Sequence, residues 1–111
     1  ALPEVQIMVP IQQHAMLMFK DSVDAFVRED VDLARAVVAR DNALDDMNRM
    51  ANRKLTERMT QDPDQLRGYL NLILFARCLE RVGDHATNIA EDAVYVAAAE
   101  DIRHQTYAAS S

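Results

Sequence analysis

The sequence predicts an all-α fold, an antiparallel three-helix bundle, on three observations. Apolar residues recur at steps of three and four along nearly the whole chain, which is the period of a helix and not of a strand. Only two glycines and three prolines punctuate its 111 residues, and six Met accompany many Ala and Leu, a composition suited to helix. Turn signals gather at just two places, near Asp30 and from Thr60 to Asp64. Residues 1–111 therefore read as a single domain, large enough to bury a real core.

The first helix covers about residues 4–28. Ile7, Met8, Ile11, Ala15, Met18, Phe19, Val23, Phe26 and Val27 supply its apolar spacing. Pro3 suits a first turn. Pro10 lacks an N–H, which predicts a kink or a late start near Val9. Asp30 is placed as the N-cap of a second helix, residues 31–59. The seam of that helix is Leu33, Val37, Leu44, Met47, Ala51, Leu55 and Met59, close to a heptad. Next comes a strong start signal: Asp62 as cap, Pro63 at the first helical position and Asp64 favourable to the helix dipole. The third helix covers about 63–98, roughly 50 Å at 1.5 Å per residue. Gly83 falls inside it, where it suits a close helix approach better than a kink. The polar tail, 99–111, is expected to fray, with Ile102 and Tyr107 as its two candidates for docking.

The net charge of −6 and pI near 4.9 offer no basic patch for phosphates, which argues against nucleic acid and against an anionic membrane surface. Cationic partners fit better. The lone Cys78 gives no disulfide framework and no thiolate cluster, and its apolar neighbours suggest a small buried hydrophobe. No apolar run approaches the ~20 residues of a membrane span, and the start has no signal-peptide pattern. A cytoplasmic setting follows as the expectation. Lacking an initiator Met, the chain reads as a piece cut from a longer one. The six Met are expected to fill core.

The third helix has one clean apolar face: Leu72, Phe75, Leu79, Val82, Gly83, Ala86, Ala90, Ala93 and Val94. Its opposite face begins apolar, with Leu66, Leu70, Ile73 and Leu74, and then turns polar. A helix apolar nearly all round is buried on two sides. Packing against a second similar unit, or a homo-oligomer, is therefore expected.

The polar stretch carries the chemistry. Glu80, Asp84, Asn88 and Glu91 stand at steps of four and three, in one column on one helical face. Asp41 and Asp45 repeat the acid-x-x-x-acid spacing on the second helix, and Asn48 follows on the seam. Counted from the Thr60–Pro63 turn, the two acid pairs lie at matching depths, so four carboxylates can face one another across two helices. Such acids repel unless something balances them. A metal ion, water, or the arginines Arg49, Arg77 and Arg81 are the three candidates. Hard cations take all-oxygen sites, and iron also accepts carboxylates. No Glu-x-x-His motif is present, which argues against a ferritin-like oxidase. His85 points about 100° away from Asp84 on the helix. His14 and His104 read as surface or capping residues.

Leu-Glu-Arg-Val-Gly-Asp-His-Ala-Thr-Asn-Ile-Ala-Glu-Asp-Ala-Val-Tyr, with DPDQLRGYLNLILFARC before it, AAEDIRH after it and DNALDDMNRMANRKL on the second helix, resembles the PhoU family of phosphate-signalling regulators. The resemblance covers nearly the whole chain. It implies one three-helix repeat, spectrin-like in form and C-terminal in kind, where family members usually carry two. It implies a cytoplasmic adaptor and not an enzyme, one that links a phosphate ABC-transporter ATPase to a sensor histidine kinase and represses the phosphate-starvation response. It further implies a metal, iron or zinc, on Asp41, Asp45, Glu80 and Asp84, with Asn88 and Glu91 as supporting or further ligands. A metal-dependent phosphoesterase, a plain helical dimerisation module and a His85 phosphotransfer protein are the competing readings.

Overall fold

The computed structural model describes residues 2–110, with side chains as far as Thr106. Helix α1 runs Val5–Arg28, α2 Val31–Ala39, α3 Asp41–Gln61 and α4 Leu66–Ser110, with a 3₁₀ turn at Pro63–Gln65 before α4. No strand occurs among the described residues. The helices form three arms, α1, α2 with α3, and α4, packed into a rod of 73 × 17 × 17 Å.

Helix α1 starts at Val5 and passes through Pro10, so the late start expected near Val9 does not occur. The bond lost at Pro10 is the one to the Gln6 carbonyl, and both residues are exposed, which leaves that carbonyl to water. The helix stops at Glu29, which takes a left-handed conformation (φ 56°, ψ 39°). The Asp30 N–H folds back onto the Ala25 carbonyl at 2.9 Å, and this pattern closes a helix C-terminus. Asp30 then caps α2 as its sequence suggests, accepting from the Leu33 N–H at 3.0 Å.

The second expected helix, 31–59, is two helices. At Arg40 the N–H bonds to the Val37 carbonyl, a tight turn at 3.1 Å. Two side chains of α1 hold this residue. Asp21 takes the Arg40 guanidinium at 2.7 Å, and His14 Nε2 lies 3.0 Å from the Arg40 carbonyl, which gives His14 its capping role. Asp62 departs from its expected part. It ends α3, its N–H bonded to the Arg58 carbonyl at 2.9 Å, and its side chain makes no cap bond. Pro63 does hold the first position of the turn that follows.

Helix α4 continues through the segment expected to fray. Ala97 to Ala99 favour helix, and Glu100 pairs with Arg103 and His104 one turn on. Ile102 stays 64% exposed and docks on nothing; the side chain of Tyr107 lies outside the described residues.

The core is built from Met18, Val37, Leu44 and Leu55, interleaved with Ala15, Ala25, Ala86 and Ala90. Leu2 lies against Gly68 and Leu44 against Gly83. A Cβ at Gly83 would come within 2.2 Å of Leu44 Cδ2, so Gly83 does allow the close approach its position suggested. Two core assignments fail. Cys78 is exposed, because it falls on the flank of α4 rather than on its buried face. Of the methionines, Met8 and Met18 are core and Met47 and Met59 pack against it, so that expectation fails only at Met16 and Met50, which are largely exposed. Leu66, Leu70 and Leu74 stand open to solvent while Ile73 packs partly buried against the core, so among the described residues the second apolar face of α4 is covered only in part.

Candidate functional site: an acidic seam between α3 and α4

Asp41 is the first residue of α3, immediately after the Arg40 turn, and Asp45 follows one turn later. The Leu44–Gly83 contact sets the register with α4, and Asp41 Oδ1 would lie 3.8 Å from a Cβ at Gly83. This brings Asp84, Thr87 and Glu91 within electrostatic reach of Asp41. The Asp41 carboxyl is pushed above its ordinary value, first by burial and then by the negative charges of Asp45 and Asp84, with a smaller push from Glu91. Thr87 favours the charged form only weakly. Neither Asp41 Oδ1 nor Thr87 Oγ1 has a well-formed hydrogen bond, so the two sit side by side without satisfying each other.

Further along the same pair of helices the polar groups are again left unpaired. Asn48 is 1% exposed, and neither atom of its amide has a partner. Asn52 Oδ1 is also buried and unpartnered. Buried polar groups in this state cost free energy, which a bound ligand or water recovers. Thr87 and Asn52 carried no functional reading in the sequence. Their signal was spacing alone: Thr87 lies three residues after Asp84 and four before Glu91, and Asn52 lies four after Asn48.

The arginines do not neutralise the seam. Arg49 bonds to Asp46 at 3.3 Å, Arg40 is engaged by Asp21, and Arg77 and Arg81 are exposed with no ion pair among the described residues. Of the six expected site residues, Asp41, Asp45 and Glu80 are half-buried, while Asp84, Asn88 and Glu91 are exposed. The acids share one face without converging: among the described residues no three His, Cys, Asp or Glu side chains come close enough together to hold a metal ion. What the seam offers is uncompensated negative charge, oxygen donors and unpaired amides, a chemistry that attracts cations.

Fold and seam define the class, an all-helical protein of long packed helices whose acid-x-x-x-acid motifs lie at one depth on neighbouring arms. The chain belongs to the PhoU family, with residues 10–93 matching the PhoU domain. It is 42% identical over 87 residues to the phosphate-specific transport system accessory protein PhoU homolog of Pseudomonas aeruginosa, covering 78% of this chain and 36% of that one. It is 33% identical over 92 residues to the corresponding Escherichia coli protein, 83% of this chain and 38% of that one. The crystal structure of PhoU from Pseudomonas aeruginosa superposes with a TM-score of 0.75 at 41% identity, over 77% of this chain and 41% of the other. The chain thus spans about a third of the length of the relatives it matches, 36% in the first of these.

Proposed function

We propose that this chain is one three-helix unit of a regulator of phosphate uptake and signalling. The single observation that carries the reading is the match to the PhoU domain over residues 10–93, which includes both acid-x-x-x-acid motifs. The relatives named as phosphate-specific transport system accessory proteins support a role beside a transporter. The unit works as an antiparallel bundle, with α1 and α4 running one way and α2–α3 the other. The contacts of Leu2 with Gly68 and of Leu44 with Gly83 favour that order. It acts in the cytoplasm by binding rather than by catalysis. Its partners are a phosphate ABC-transporter ATPase and a sensor histidine kinase, whose starvation response it holds off.

The acidic seam is the metal-competent part of this reading. Its all-oxygen donors suit a hard cation, and the family resemblance offers iron or zinc. Asp41, Asp45, Glu80 and Asp84, which share a face without converging in this structure, would have to draw together to hold the ion, with Asn88 and Glu91 further along. The orphaned Asp41 Oδ1 is the observation that favours it. Bound positive charge would relieve the repulsion among these acids.

Two measurements test the proposal. Elemental analysis of protein purified without chelator is expected to find metal that disappears in an Asp41→Asn/Asp84→Asn double variant; equal metal in both forms excludes the seam. A pull-down with the transporter ATPase and the kinase is expected to retain at least one of them. Retention of neither by a folded chain removes the adaptor role.

A further inference from the structure

On the other flank of α3 from the acidic seam, where it faces α1, the bundle leaves a hollow of about 270 Å³. Ile11 and Ala51, both buried, form its floor. Ala51 is small where the same buried seam of α3 carries Leu44 and Leu55 on either side, and the volume it does not fill is left open. Ile7 and Pro10 wall the hollow from α1, Met47 and Met50 from α3. Unbranched methionines reshape readily around a guest.

One end of this apolar hollow is charged. A second cavity, about 160 Å³, adjoins it and shares Ile7 and Lys54 with it. Glu4 and Arg58 also line that second cavity. Arg58 Nε lies 3.5 Å from Glu4 Oε1, so these two charges offset each other. Lys54 has no ion pair among the described residues. It stands exposed at the junction of the two cavities, an uncompensated cation at the mouth of an apolar slot.

Shape and charge together choose the guest. From Met47 to Lys54 the slot follows two turns of α3, roughly 10 Å. Its volume falls just below the ~300–1,000 Å³ of ordinary small-molecule pockets, which suits one short chain and not the paired tails of a lipid. A neutral apolar guest would leave Lys54 unused, and a cationic one would meet it at like charge. The net charge of −6 opposes approach to an anionic bilayer, which favours a free molecule over a membrane lipid.

We infer that the α1–α3 hollow binds a free medium-chain monocarboxylate, its chain laid over Ile11 and Ala51 and its carboxylate on Lys54. The inference is independent of the metal site and of the adaptor role.

Isothermal titration of the whole chain with octanoate, octylamine and hexanoate tests it. Octanoate has about ten non-hydrogen atoms, so a Kd of order 1 mM is expected in so open a slot. Each methylene removed on the way to hexanoate should weaken binding by up to about fourfold, and octylamine should not bind. Lys54→Glu should lose octanoate and gain octylamine, a swap of preference that a merely structural lysine would not produce. Met50→Glu, which places a charge in the apolar wall, should bind octanoate at least tenfold more weakly. Both substituted residues are exposed, so helicity should not change. No octanoate binding, equal binding of octanoate and octylamine, or octanoate binding unchanged in Lys54→Glu each overturns the inference. So does recruitment to phosphatidylglycerol vesicles without octanoate binding, which would assign the slot to a membrane lipid.

Discussion

Asp21 and Asp41 lie on opposite sides of Arg40 and are treated in opposite ways. Asp21, on α1, takes the Arg40 guanidinium at 2.7 Å. Asp41, the very next residue after Arg40, turns toward α4 and meets Asp45, Asp84 and Glu91 with no cation among them. One acid is built into the fold by a short ion pair, while the other is held in it against repulsion. An acid of the second kind costs stability unless a positive charge joins it.

The strongest way to disturb this contrast is to pry the seam open. Gly83→Val puts a side chain where Leu44 Cδ2 already is. We expect a loss of about 2–3 kcal/mol from overpacking, measured by urea denaturation, and a shift of the Asp41 titration toward its ordinary value as the helices part. No loss would mean that Leu44 swings aside freely.

Breaking the satisfied side comes next. Arg40→Met leaves Asp21 half-buried and unpaired, which should cost about 1–2 kcal/mol and loosen the turn between α2 and α3. A variant as stable as the wild type would show that the 2.7 Å pair contributes nothing.

Relieving the unsatisfied side should have the opposite sign. Burial and its neighbours raise the Asp41 pKa above 3.8, so the folded protein binds that proton more tightly than the unfolded chain. The resulting penalty is complete above the raised value and fades as pH falls from there toward 3.8. Asp41→Asn is therefore expected to raise the thermal midpoint at neutral pH, with the gain vanishing below the ordinary carboxylate range. A variant equal to or less stable than the wild type at pH 7 would sink the repulsive picture. The smallest effect belongs to Arg49→Ala. It removes an exposed pair with Asp46, and its unfolding free energy should move by less than about 0.5 kcal/mol; a larger loss would mean that Arg49 does neutralise the seam.

The placement of the acids on their helices was legible in the sequence because it follows from helical spacing. Asp41 and Asp45 on one helix, Glu80 and Asp84 on another, and the Gly83 contact between them need only a period and a depth count. What spacing does not contain is the azimuth of each helix. That is why Arg77 and Arg81, adjacent in sequence to the acids, turn out to point into water, and why Cys78 lies on a flank instead of in the core. The interruption at Arg40 was equally hidden. It is set by His14 and Asp21, some twenty residues earlier in the chain, and no local signal marks it.

The sequence by itself determined an all-helical protein, the cap at Asp30, the helical start at Pro63, the acid motifs and the family to which they belong, because each of these depends on residues a few positions apart. Only the tertiary structure decided that the expected second helix is two, that the tail continues as helix, that the acids share a face without converging on a metal-sized point, and that α1 and α3 part around a hollow beside Lys54. Those outcomes depend on how far and at what angle one helix lies from the next, which packing fixes and periodicity does not.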